Sequence, residues 1–99
     1  MENLNSKSKV YILIDSNNYI TRIEGQYSLP LDLTGWILID EGHGDKYNLA
    51  QTHYFDKPLI TQDGIYQYKL VGTTPIERSE EEIAAERETK NFTKINRTN

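Results

Sequence analysis

Both histidines of the chain fall in one stretch, "EGHGDKYNLAQTHY" at residues 41–54, together with two glycines and an acidic run. Those residue types suit three kinds of chemistry. His43 and His53, with Asp40, Glu41 and Asp45, offer nitrogen and oxygen ligands for a metal ion. "GHG" opens like a glycine loop that cradles phosphate against a helix N-terminus. A histidine near a serine or threonine is the base–nucleophile pair of covalent catalysis.

Spacing weighs against all three. Two ligands on one helix need i, i+3 or i, i+4 separation, as in H-E-x-x-H, whereas His43 and His53 are ten residues apart. "GHG" lacks the following x-x-G of a dinucleotide loop, and "GHGDK" lacks P-loop spacing. Asp45 at a helix start repels an anion where the backbone would hold it. Ser16 and Ser28 lie in turn-like stretches without a nucleophile elbow. Asp32, Asp63 and Glu81 are accounted for by turns and caps, and paired carboxylates such as Asp40 and Glu41 carry little information in an acidic chain. We therefore expect no catalytic, cofactor-binding or metal-ligating residue, no cofactor, and no enzyme.

The same stretch has a structural explanation. Gly42 and Gly44 end a strand and allow a reversal. Asp45 is placed to cap a helix with its carboxylate. Tyr47, Ala50 and Tyr54 then form one apolar stripe, with Leu49 and His53 beside it. Pro58 stops any continuation.

The elements that must position this stretch follow from pattern. With 99 residues the chain holds one domain with a modest core. Its apolar share, 36%, lies below the globular norm of about 45–50%. Residues 9–15, "KVYILID", read as a strand; "SNN" is turn chemistry; residues 19–24, "YITRIE", are the return strand. Residues 25–35 are irregular around Pro30, and residues 36–41, "WILIDE", are a third strand. Residues 58–60 and 65–71 form two extended runs joined by "QDG", with Gly64 free to take positive φ. Residues 75–78 add a short edge strand. Ser79 and Glu82 predict a capping box, and Glu80, Glu81 and Glu82 fill a first helical turn where negative charge is favoured. The helix carries few apolar residues, so we expect it to be lightly attached or protruding. The expected fold is α+β: a small antiparallel sheet of hairpins, a short helix near 45–54 and a C-terminal helix from about 80. The expected organisation is a flexible arm at 1–8, a β-rich domain at 9–78, the helix at 79–91 and a disordered tail at 92–99.

Two strands are apolar on both faces. In "VYILI", Val10, Ile12 and Ile14 oppose Tyr11 and Leu13; in "WILI", Trp36 and Leu38 oppose Ile37 and Ile39. A one-sided antiparallel sheet alternates apolar with polar. Something therefore covers the second face: the helix near Asp45, the 29–33 segment, or another protein. Tyr66, Tyr68 and Leu70 share a face of another run. Tyrosine and tryptophan bury area while keeping a polar end, which suits both small cores and interfaces. The candidate interaction residues are Tyr11, Leu13, Trp36, Leu38, Tyr47, Tyr54, Tyr66 and Tyr68.

Bulk properties restrict the partners. A net charge of −4 disfavours binding to nucleic acid through phosphate contacts. Cysteine is absent, which removes disulfides, thiolate metal sites and thiol nucleophiles together. "MENLNSKSKV" has no apolar core of a secretory signal, and no apolar run reaches the roughly 20 residues of a membrane helix. Without a secretory route the sequons at Asn91 and Asn96 carry no meaning. We expect neither a nucleic-acid nor a membrane partner.

"GWILIDEGHGDKYNLAQTHYFDKPLITQDGIYQYKL", followed by "ERSEEEIAAE", resembles small proteins encoded among the tail and receptor-binding genes of phages and prophages of low-GC Gram-positive bacteria. Such proteins look like "GW-x-x-IDEG-x-GDKY-x-x-AQ-x-x-Y", then "PL", a "DG-x-Y-x-YKL" hairpin and an "ER-[ST]-x-EE" helix start. The matches are residues 35–54, 58–59, 63–70 and 77–82, and the resemblance spans about half of the chain. It implies a structural, non-enzymatic role in the virion near the baseplate or tail fibre, after assembly in the host cytoplasm. The implied partners are other tail proteins or further copies of this chain. Two other roles fit a small acidic phage protein: blocking a host defence protein by mimicking nucleic-acid charge, and chaperoning tail-fibre assembly.

Overall fold

A β-branched, aromatic run forms the centre of the fold. The computed structural model describes residues 7–98, with side chains to residue 90. β1 (Ser8–Ile14) lies between β2 (Ile20–Gly25) and β3 (Ile37–Gly42), antiparallel to both. The β1–β2 turn is built by Asp15, whose carboxylate accepts from the Asn17 and Tyr19 amides at 2.9 and 3.0 Å. Asn18 takes the left-handed conformation there, φ 67°, which asparagine tolerates better than most residues. Each outer strand carries one extra residue. Leu13 pairs with Arg22 but Ile14 with Ile20, so Thr21 bulges from β2. Val10 pairs with Asp40 but Tyr11 with Leu38, so Ile39 bulges from β3.

One face of this sheet is the core. Val10, Ile12, Ile20 and Ile23 are buried with Ala50, Tyr68 and Leu70. Each fully buried Val or Ile contributes about 1.5–3 kcal/mol relative to exposure. The cover over this face is two helical turns, α1 (Asp45–Asn48) and α2 (Ala50–His53). The single helix expected over 45–54 is thus broken at Leu49, which sits at φ −118°, ψ 47°. The break leaves Leu49 exposed and sets Ala50 into the core. The expected stripe holds, since Tyr47 and Tyr54 pack against the core beside Ala50. The expected Asp45 cap does not. Gly44 is the N-cap, at φ 95°, and no side chain caps the helix. Gly42 is needed for room rather than for φ: an added Cβ would fall 2.4 Å from the Tyr47 ring.

β4 (Tyr68–Val71) and β5 (Thr74–Glu77) form a second antiparallel pair. It joins the first sheet through a bridge from Tyr19 to Lys69 and a bond from the Leu70 amide to the Asn18 carbonyl, 2.8 Å. The extended runs expected at 58–60 and 65–71 shrink to β4 and one isolated bridge, Ile60 to Tyr66. Between them Gly64 does take φ 87°, as the turn requires.

α3 (Glu80–Thr98) runs past the limit expected at residue 91 and through most of the segment expected to be a disordered tail; only Asn99 of that segment lies outside the described residues. Of the expected N-terminal arm, residues 1–6 also lie outside them, whereas Ser8 is buried in β1 and donates to the Asn48 side chain. Half of the expected capping box is present: the Ser79 hydroxyl accepts from the Glu82 amide at 3.1 Å. The Glu82 carboxylate does not return to Ser79. It pairs instead with Arg78 at 2.8 Å and Lys69 at 3.1 Å.

Arg78 explains that diversion. It is only 3% exposed. Its side chain meets Glu82, Glu86 at 2.8 Å and the Tyr66 carbonyl at 2.8 Å, and its guanidinium lies 3.9 Å from the Tyr19 ring centre. Its amide donates to the Gln67 carbonyl. Glu86 meets it as an ion pair outside directed hydrogen-bond geometry, and Glu86 Oε1 has no hydrogen bond among the described residues. The guanidinium holds the Glu82 carboxyl below the usual carboxylate range, with Lys69 adding to the effect. Further along α3, Arg87 binds Asp63 at 2.6 Å and Lys90 donates to the Asp63 carbonyl at 3.0 Å.

Arg78→Ala is expected to cost about 2–4 kcal/mol, because it leaves Glu86 without its cation and Glu82 with Lys69 alone, though both keep some contact with water. Urea denaturation measures this; a loss under about 0.5 kcal/mol, the usual range for a surface change, contradicts the assignment.

Candidate interaction surface

Among the described residues no helix lies over the second face of the three-stranded sheet. Side-chain alternation places Lys9, Tyr11 and Leu13 of β1 on that face. Register places their neighbours beside them. Lys9 is opposite Glu41, Tyr11 is between Glu24 and Leu38, and Leu13 is opposite Arg22. Trp36 immediately precedes β3, and the Arg22 guanidinium lies 5.2 Å from its ring centre. That contact fixes Trp36 on the same face, one row beyond Leu38. The result is a block of Tyr11, Leu13, Trp36 and Leu38. Arg22 and Glu24 border it on one side, joined by a 3.2 Å ion pair, and Lys9 and Glu41 close one end. Leu38 is 43% exposed, and Tyr11, Leu13 and Trp36 remain partly exposed.

The other four candidates are elsewhere. Tyr68 is buried and stacks on Phe55, ring centres 4.0 Å apart. Tyr54 meets Phe55 and Tyr47 edge-on and donates its hydroxyl to Asp40 at 2.7 Å. Burial, then the bond to Asp40, pushes the Tyr54 hydroxyl well above the usual tyrosine range. Lys46 lies 4.9 Å from the Tyr54 ring centre. Tyr66 is partly buried, and its carbonyl accepts from Arg78. These tyrosines belong to the core and its rim. The helix near Asp45, one of the covers suggested for the second face, lies instead over Val10 and Ile12 as α1 and α2.

Strand order separated the two groups, and the sequence carries that order only through cross-strand pairing. The charged border of Lys9, Arg22, Glu24 and Glu41 was missed for the same reason. Alternation within β1 places Lys9 on the Tyr11 face, but its pairing with Glu41 depends on the bulge at Ile39.

The histidines are both exposed. His53 Nδ1 lies 2.7 Å from the Thr52 hydroxyl; among the described residues nothing further orients that imidazole. No group of three or more His, Asp or Glu side chains gathers as a metal site among the described residues. Two open clefts flank Phe55. One, of about 290 Å³, is lined by Ile23, Ala50, Phe55 and Leu59; the other, of about 380 Å³, by Ile39, Tyr54, Tyr68 and Pro75. Neither includes a histidine.

Three outer strands are blunted, β2 by its bulge at Thr21. β3 carries its bulge, and the Asp40 carboxylate takes the Glu41 amide at 2.8 Å. β5 carries Pro75. Bulges and edge prolines suppress strand addition by another chain. Among the described residues no helix is long and apolar enough to cross a membrane. No family model matches the chain, and no characterised protein or solved structure is significantly similar to it.

Exposure predicts opposite outcomes for the two groups. Tyr68→Ala is expected to cost about 3–5 kcal/mol, as for a buried aromatic. Leu38→Lys is expected to stay within about 0.5 kcal/mol of wild type. Thermal unfolding of the two variants checks this, and equal losses contradict the division between core and surface.

Proposed function

We propose that this chain is a non-enzymatic structural component of a phage tail, baseplate or receptor-binding apparatus, acting by packing against other proteins. The observation that carries the proposal is the block of Tyr11, Leu13, Trp36 and Leu38 on an uncovered sheet face. A small acidic chain gains nothing for its own stability by leaving Leu38 exposed beside the partly exposed Tyr11, Leu13 and Trp36, and contiguous apolar patches rimmed by charge mark protein interfaces. The blunted edges support face-on docking rather than strand exchange. The resemblance of residues 35–82 to tail-region proteins supplies the setting: assembly in host cytoplasm and residence in the virion. The partners are other tail proteins or copies of this chain, with no cofactor, nucleic acid or membrane involved.

The acidic run that suits a nucleic-acid mimic is partly engaged inside the fold, since Glu82 is held by Arg78 and Lys69. That favours the tail component over an inhibitor of a host defence protein.

Mass spectrometry of purified particles tests the proposal. The wild-type chain is expected in the virion, and Leu13→Lys combined with Leu38→Lys is expected to lower its incorporation by about tenfold or more, equivalent to roughly 1.4 kcal/mol of lost binding. Absence from the particle contradicts the proposal. Co-purification with a host protein supports the inhibitor instead, and capture on unassembled fibre alone supports an assembly chaperone.

A further inference from the structure

The open face is complementary to itself. We infer that its occupant is a second copy of this chain, packed face to face about a two-fold axis parallel to the strands and lying between β1 and β3. The inference rests on the open face being a protein interface, as proposed above, and adds which protein fills it.

The register supplies the argument. A two-fold axis along the strands keeps each row level and exchanges the columns on either side of it. With the axis between β1 and β3, β1 of one copy lies over β3 of the other. Lys9 then meets Glu41, Tyr11 meets Leu38, and Leu13 meets Trp36. Every pair brings together opposite charge or apolar surface. In an isologous interface each such contact occurs twice. Lys9 and Glu41 are directly opposite within the chain, both are exposed, and among the described residues neither is in an intrachain ion pair. Glu24 falls outside the exchanged columns as a polar rim, and Arg22, paired with Glu24, reaches across from β2 to the Trp36 ring and so borders the Leu13–Trp36 contact. Twisted sheets pack this way, roughly aligned and about 10 Å apart. Other in-plane axes fit less well. An axis along β1 sets Lys9 against Lys9. An axis across the strands through the Tyr11 row sets Glu24 against Glu24.

Charge reversal tests this with the intact chain. Sedimentation equilibrium from micromolar to millimolar concentration is expected to show a monomer–dimer equilibrium for wild type. Lys9→Glu alone and Glu41→Lys alone each juxtapose like charges twice, and each is expected to weaken the dimer by about tenfold or more. Mixing the two variants restores opposite charge at both pairs, one with the native polarity and one reversed, so the mixture is expected to form a heterodimer near wild-type affinity. The double variant is expected to recover in the same way. Both side chains are exposed, so unchanged circular dichroism and melting temperature confirm that folding is intact. A wild-type monomer throughout the series, single reversals without effect, or a mixture that stays monomeric overturns the inference. A monomer that still loses virion incorporation on Leu13→Lys and Leu38→Lys substitution overturns the dimer while leaving the tail-protein interface standing.

Discussion

One buried guanidinium connects the parts of this small protein. Arg78 follows β5 and precedes α3, and in that position it meets Glu82 and Glu86 of the helix, the Tyr66 carbonyl and the Tyr19 ring. Burying a cation is unfavourable unless it is paired and hydrogen-bonded. Those partners come from three separate segments, so satisfying the charge fixes them relative to one another. Tyr19 lies beside the bridge that joins the second hairpin to the first sheet. The ion pairs of α3 run to Asp63, Lys69 and Arg78, all on the hairpin side of the molecule. The longest helix of the chain is thereby committed away from the three-stranded sheet. With α1 and α2 on the Val10 and Ile12 face, the Tyr11 and Leu13 face is left open.

Much of this was legible in the sequence. Strand positions followed from β-branched alternation, and the turns from Asp15 to Asn18 and at Gly64 from residues that tolerate positive φ. The α+β class and the helix beginning near residue 80 followed from the same patterns and from Ser79 as cap. What escaped prediction depended on contacts between distant residues. Glu82 was assigned to the capping box, but a buried arginine offers a carboxylate more than a backbone amide does. The helix over 45–54 looked continuous because propensity is local, whereas the break at Leu49 serves the seating of Ala50 and Tyr54 on the core. Short helices obtain their stability from such packing.

The candidate site was half legible. All eight residues were chosen for being aromatic or apolar on a strand or helix face. Tyr11, Leu13, Trp36 and Leu38 proved to share one surface because β1 is central and β3 is its neighbour. Tyr47, Tyr54 and Tyr68 serve the core because α1, α2 and β4 close over the other face. Single-sequence alternation gives two faces to every strand, and only strand order and helix placement decide which face is covered. The "EGHGDKYNLAQTHY" stretch, where the residue types best suited to chemistry gather, supplies a strand end, a steric gap at Gly42 and the tyrosine cover of the core.

The chain has one tryptophan, and Trp36 lies in the end row of the proposed interface, opposite Leu13. Its fluorescence therefore reports on the central claim without a label. In dilute solution the account predicts emission from a partly solvent-exposed indole that acrylamide quenches. On association, with further copies or with tail partners, it predicts a blue shift and protection from quenching. Emission that is already buried in the dilute monomer, or that stays fully quenchable once the complex has formed, contradicts the assignment of this face as the docking surface.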